Sequence, residues 1–253
     1  MTVTLFHFKM AQTEAYMKKI TGFIISLFLC FSLSACSGTD TKQYTLEFFN
    51  ALHHTFQADS AHIRADILMD QDDPGEILAD LCFDQKEQLE LALTTDLKAG
   101  GRTQNNFLDF YIKDGRTYLN SLGTKTQSTA DKIGLSADSK LTNLDPFLDM
   151  SDDELEKLFT RAEKEEDGTY RFDIDEHTLA SILDSYGSVT VDHAVLEAKI
   201  ENSIVTYMKL DCDIHQKISS TSIDSSVRAV IHVSDYDTLQ SVPFPDDLSS
   251  YKK

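Results

Sequence analysis

The chain is short of proline, cysteine and positive charge, and each shortage narrows the reading. Its four prolines, Pro74, Pro146, Pro243 and Pro245, mark no linker, so nothing in the composition divides the chain into two domains. Cysteine is sparse. Cys30 falls in an N-terminal apolar stretch and Cys36 follows it, which leaves Cys82 and Cys212. Cys212 shares strand parity with the apolar Met208, Leu210 and Ile214, whereas Cys82 shares parity with Asp80 and Asp84. Opposite faces argue against a disulfide between them, although parity fails across a bulge. Basic residues number 23 against 42 acidic ones. Lys9, Lys18, Lys19 and Glu14 lie in a stretch read below as removable, which leaves 20 basic and 41 acidic residues and a net charge of −21. Such a field repels nucleic acid and anionic head groups. Nucleic acid is therefore excluded as a partner, and the surface reads as well solvated.

Catalytic and cofactor signatures are also missing. Asp70, Asp72 and Asp73 cluster, but Pro74 occupies the third ligand position of a calcium loop and the pattern fails. The histidines His53, His54, His62, His177, His193, His215 and His232 form no His-x-x-x-His or HExxH spacing. His53 and His54 are adjacent and point apart on a helix, while His215 and His232 fall on polar strand faces. There is no Gly-x-Ser-x-Gly and no phosphate-cradling glycine loop, since Gly100-Gly101 lies in a hairpin-like connection. The sequence singles out no catalytic residue, no metal site, no cofactor and no ligand contact.

What is present begins at the N-terminus. Residues 17–36 read MKKITGFIISLFLCFSLSAC. Lys18 and Lys19 form a positive region, and residues 20–33 form an apolar run that suits a signal peptide and is short for a membrane span. The tetrad Leu33, Ser34, Ala35 and Cys36 resembles the lipobox of bacterial lipoproteins. That resemblance implies a lipid on the Cys36 sulfur and cleavage just before it. Two acyl chains hold a protein at a bilayer, each buried methylene contributing about 0.8 kcal/mol. The expected location is the extracytoplasmic face of a cell membrane. The expected organisation is residues 1–16 as gene-model overhang before a better start at Met17, residues 17–35 as lipoprotein signal peptide, residues 36–42 as lipidated cysteine and short polar tether, and residues 43–253 as one domain.

The domain reads as α+β. Residues 45–57 carry an amphipathic helix with Tyr44, Phe48, Leu52 and Phe56 at four-residue spacing and Phe49 beside them, a stripe suited to packing on a sheet. Residues 60–69, 77–83 and 88–95 alternate as half-buried strands. Residues 107–112 and 117–122 flank Asp114-Gly115, a strong hairpin signal. Residues 123–149 are long and polar, as in a binding loop, a lid or a merely mobile connection. A helix is expected over 151–166, with Ser151 and Glu154 as a capping box and Leu155, Leu158, Phe159 and Ala162 as its stripe. A strand over 168–174 and a helix over 176–186 follow. Residues 193–200, 204–216 and 225–233 return to strand, and Pro243-Phe244-Pro245 closes the chain in extended form. The expectation is a large curved antiparallel sheet of about nine to eleven strands, an unclosed half-barrel, covering about three helices.

This order resembles a family. A lipobox, an amphipathic helix, a meander containing FYIKDGRTYLN, a capped helix, YRFDID, a second helix, a hairpin and a strand ending in YDTLQSVPFPDDL follow one another. The arrangement is similar to the lipoproteins with a LolA/LppX-like fold, in particular those of low-GC Gram-positive bacteria. The resemblance implies an open barrel over helices with an apolar cavity that holds a lipid or other amphipathic ligand. A soluble carrier of that family has no lipid anchor, and this chain departs from it there. The expected function is a membrane-anchored, non-enzymatic module that binds such a ligand. The alternative is a structural or protein-interaction lipoprotein with a packed interior and an envelope protein partner.

Overall fold

The computed structural model describes residues 39–70, 74–135, 138–145, 147–183, 188–218 and 221–252. Leu33, Ser34, Ala35, Cys36, the signal segment and the aspartates Asp72 and Asp73 lie outside the described residues. Helix α1 (Thr39–Gln57) opens the domain. A first meander follows: β1 (Ser60–Asp70), β2 (Gly75–Asp84), β3 (Glu90–Ala99), β4 (Arg102–Gln104), β5 (Leu108–Lys113), β6 (Arg116–Ser121) and β7 (Thr124–Thr129). A connecting stretch carries 3₁₀ turns at Ala130–Ile133 and Leu141–Leu144, then α2 (Asp152–Leu155) and a third turn at Glu156–Leu158. The second meander is β8 (Phe159–Lys164), β9 (Tyr170–Ile174), α3 (Glu176–Leu183), β10 (Ser188–Glu201), β11 (Ile204–Ile218) and β12 (Thr221–Ser234).

Among the described residues the strands form one sheet of twelve, in the order β7-β6-β5-β3-β2-β1-β12-β11-β10-β9-β8, with short β4 on β3. All eleven strand pairings are antiparallel. The path ends on two different strands, so the barrel is unclosed as expected. The two meanders meet at β1 and β12, where Ile63, Ala65, Ile67 and Met69 pair with Val233, Ile231, Ala229 and Val227. Alternation places these residues on one face. Bulges at residues 159–161, 191–193 and 199–200 bend β8, β10 and β11.

Tight turns explain the regular hairpins. Gly100-Gly101, Asp114-Gly115, Leu122-Gly123 and Asn202-Ser203 each hold both central residues at positive φ, 50–84°. That is the backbone of two-residue hairpin turns whose twist matches the strands. Glycine, aspartate and asparagine supply it cheaply, but Leu122 at φ 50° does not.

The concave face is apolar and covered mainly by α1. Phe48, Phe49 and Leu52 bury their side chains against Phe159, Phe172, Leu196, Leu210 and Val205, and Tyr44 and Phe56 pack at the margin. Full burial of such a side chain contributes about 1.5–3 kcal/mol. The helix begins six residues before the expected start. Thr41 is 7% exposed and exchanges hydrogen bonds with the backbone of Ala162, its hydroxyl accepting from the amide at 3.3 Å and donating to the carbonyl at 3.4 Å. Residues 39–42 are thus helix rather than tether.

The expected helix over 151–166 is corrected. Only Asp152–Leu155 is α-helical, the capping box is present, and from Phe159 the chain is strand. The spacing Leu155, Leu158, Phe159, Ala162 imitates a helical stripe because a bulge at Thr160 puts Phe159 and Ala162, three residues apart, on one buried face of β8. Residues 123–149 also hold an unexpected edge strand, β7. The convex face is not bare either. The C-terminal stretch crosses it, and Val242 and Tyr251 bury Cys82, Ala92 and Tyr111.

Candidate functional site

The in-register concave residues of the first meander, with the adjoining β12, define the candidate site. One row crosses six strands: Val233, Ile63, Leu81, Leu93, Phe110 and Leu119 are each opposite the next. All six are apolar. Ile63 is buried, Val233, Leu81, Leu93 and Phe110 are half-buried, and Leu119 is 37% exposed. The row beside it, Ala61, Phe83, Leu91 and Ile112, is covered by Ala130, Leu135 and Leu141 of the connecting stretch. The first meander therefore has a thin cover over one apolar row and leaves the adjacent row partly open.

Gln85 seats that cover. It is 2% exposed, and its side chain donates to the carbonyls of Phe56 at 3.0 Å and Ala58 at 2.5 Å. Its carbonyl oxygen accepts the Leu141 amide at 2.6 Å, and its backbone carbonyl accepts from Lys140. One side chain thus joins the end of α1 to the cover. A second link is His53 Nδ1 to Asp145 Oδ2 at 3.1 Å, with Asp145 also accepting the Phe147 amide at 2.9 Å. A polar cleft of about 280 Å³ lies along this seam, lined by His53, Gln57, Gln85, Lys140 and Leu148 among others. Four of the five exposed large apolar residues among the described ones, Leu119, Leu122, Ile133 and Leu148, lie on β6, in the turn after it or in the connecting stretch.

Across the second meander the concavity is filled. Phe159 and Phe172 stack at 4.4 Å between ring centres, Phe48 sits 5.0 Å from Phe172, and Phe49 sits 4.9 Å from Phe147. The single apolar cavity expected from the resemblance is here divided into a packed half and a thinly covered half.

On the convex face, strand pairing does what linear spacing did not show. His62 is opposite Cys82, and Asp80 lies two residues before it on the same face. His62 Nε2 is 2.8 Å from Asp80 Oδ1, and Arg64 donates to Asp80 Oδ2 at 3.1–3.2 Å. Cys82 and Cys212 are both buried, and no disulfide joins them. Burial, then the Asp80 and Asp235 charges, push the Cys82 thiol up to about 11. Parity put Cys82 on the polar side correctly, but the C-terminal stretch buries it there. His215 lies on the polar face as expected, between Asp224 at 2.6 Å and Asp192 at 3.0 Å. His232 packs on the Tyr207 ring.

Sequence reasoning missed Gln85, which falls between the expected strands over 77–83 and 88–95 and receives no role there. It also missed the C-terminal cover, whose signal is the apolar set Leu239, Val242, Phe244, Leu248 and Tyr251. No helix among the described residues is long and apolar enough to cross a membrane.

No family model and no curated protein matches the chain. Among solved structures it is similar to LprF from Mycobacterium bovis, at 10% identity and a TM-score of 0.40, over 82% of this chain and 99% of that one. It is also similar to the LolA superfamily protein NE2245 from Nitrosomonas europaea, at 10% identity and a TM-score of 0.25, over 83% and 97%. A third is the S-type phycobiliprotein lyase CPES from Guillardia theta, at 9% identity and a TM-score of 0.27, over 76% and 97%. The class of the fold, an open antiparallel sheet wrapped over helices, stands on the strand order itself.

Proposed function

We propose that the protein is an extracytoplasmic lipoprotein, anchored through lipid on Cys36, that binds a lipid or other amphipathic ligand on the concave face of its first meander. It acts by binding and not by catalysis. The observation that carries this reading is the apolar row from Val233 to Leu119, partly open to solvent beside a cover of three small contacts. An acyl chain laid along this row would bury aliphatic surface at about 25 cal/mol per Å². The polar seam at His53, Gln85 and Lys140 suits the ligand's polar end. Fuller entry requires the cover to part along that seam.

A second reading is favoured by one observation, the aromatic packing under α1. In it the interior is complete and the domain serves as a structural or protein-interaction module of the envelope. Native mass spectrometry of Cys36→Ser protein, with an organic extract of the same sample, separates the two. A copurifying mass that extracts as lipid supports the binding module. A clean apo mass that added lipids leave unchanged supports the packed module. For the anchor, wild-type protein is expected to partition into detergent and to carry a diacylglyceryl mass on its N-terminal cysteine. Cys36→Ser should lose both.

A further inference from the structure

We propose a divalent transition-metal site of the zinc class on the convex face, formed by His62, Asp80 and Cys82. A donor atom from each lies within 4.8 Å of the other two. An imidazole, a carboxylate and a thiol are the ligand types that zinc takes, at about 2.0–2.3 Å each, which sets tetrahedral donors about 3.5 Å apart. Closure of about 1 Å would bring these three donors to that spacing. Calcium and magnesium prefer all-oxygen shells, so a thiol–imidazole pair selects against them.

The backbone presets the arrangement. His62 on β1 and Cys82 on β2 are direct cross-strand partners, and Asp80 sits at the next same-face position of β2. Central strands hold these positions with little freedom, since β1 and β2 are paired on both sides. Arg64 grips one oxygen of Asp80 and leaves the other facing His62, the outer contact that commonly orients a metal-binding carboxylate. Asp235 lies on the other side of the imidazole, its carboxylate 3.7 Å from His62 Nδ1, where it serves as a second outer partner that orients the ring. Tyr251 and Val242 close the site from the C-terminal side, while His62 and Asp80 remain half-buried and leave an entry. Metal binding would displace the Cys82 proton, and the thiolate would be the metal ligand.

The test uses full-length protein in detergent, titrated with Zn²⁺ against a chromophoric chelator and with Co²⁺ as a spectroscopic probe. One equivalent should bind, with a near-ultraviolet thiolate-to-cobalt charge-transfer band. His62→Ala and Cys82→Ser should abolish the band. Arg64→Ala should weaken binding about 10-fold and keep the band. Asp80→Asn, at a half-buried position, covers the case in which Cys82→Ser fails to fold. It should weaken binding without lowering the content of sheet by circular dichroism. Absence of stoichiometric binding would overturn the proposal. So would binding that lacks the thiolate band and survives all four substitutions, which would place the ion on the acidic surface.

Discussion

The two meanders share one sheet and one apolar concave face, yet they are covered differently. The second lies under α1, nineteen residues long, and its interior is closed by Phe48, Phe159, Phe172 and Tyr170, each at most 1% exposed. The first lies under the connecting stretch, which contributes Ala130, Leu135 and Leu141, and it keeps Leu81, Leu93 and Phe110 half-open. A long helix with an aromatic stripe buries much surface per ordered residue. Short turns bury little and are held by a few polar links. The difference separates a half built for stability from a half whose contacts, under the proposed function, an apolar ligand would replace at small cost.

Substitutions should show this asymmetry. Phe172→Ala empties a fully buried position in the second meander and is expected to cost about 3–5 kcal/mol in chemical denaturation. Phe110→Ala, on the half-open row, should cost about 1 kcal/mol, because less area returns to water. Equal losses at the two positions would erase the distinction. Gln85→Ala should cost about 1–3 kcal/mol by orphaning the Leu141 amide and the Phe56 and Ala58 carbonyls. Its signature is faster hydrogen exchange over residues 138–145 than over α1. Leu122→Asn should raise stability by about 1 kcal/mol, since asparagine tolerates the positive φ that leucine resists.

The smallest effect is at His215, whose pKa is raised first by its hydrogen bond to Asp224 and then by the Asp192 charge. A raised folded pKa means that its contribution is fully present below the unfolded value of 6.5 and is lost as pH rises through the folded pKa. An NMR titration should place the His215 midpoint above 6.5, and Asp224→Asn should lower it.

Much of this architecture is legible in the sequence, because β1, β2, β3, β11 and β12 alternate cleanly and Asp114-Gly115 marks its turn. The α1 stripe is equally plain. The rest is hidden for physical reasons. A bulge makes β8 read as helix. Thr41 looks like tether but is buried by a partner 121 residues away. The edge strand β7 (TKTQST) has no apolar face to alternate. The half-open row appears only when register aligns residues from six strands, and the His62, Asp80 and Cys82 group appears only through strand pairing. Gln85 is one polar residue among several in its turn, and only its burial distinguishes it.

The chain contains no tryptophan, so a single introduced indole is a clean reporter. Phe110→Trp places it on the half-open concave row, and Tyr207→Trp places it on the convex face. Both proteins would be titrated with a brominated fatty acid, whose bromine quenches tryptophan on contact. Quenching at position 110 that saturates, with position 207 unaffected, is the predicted result. Equal quenching at both positions, or none at either, would contradict a ligand site on the first meander.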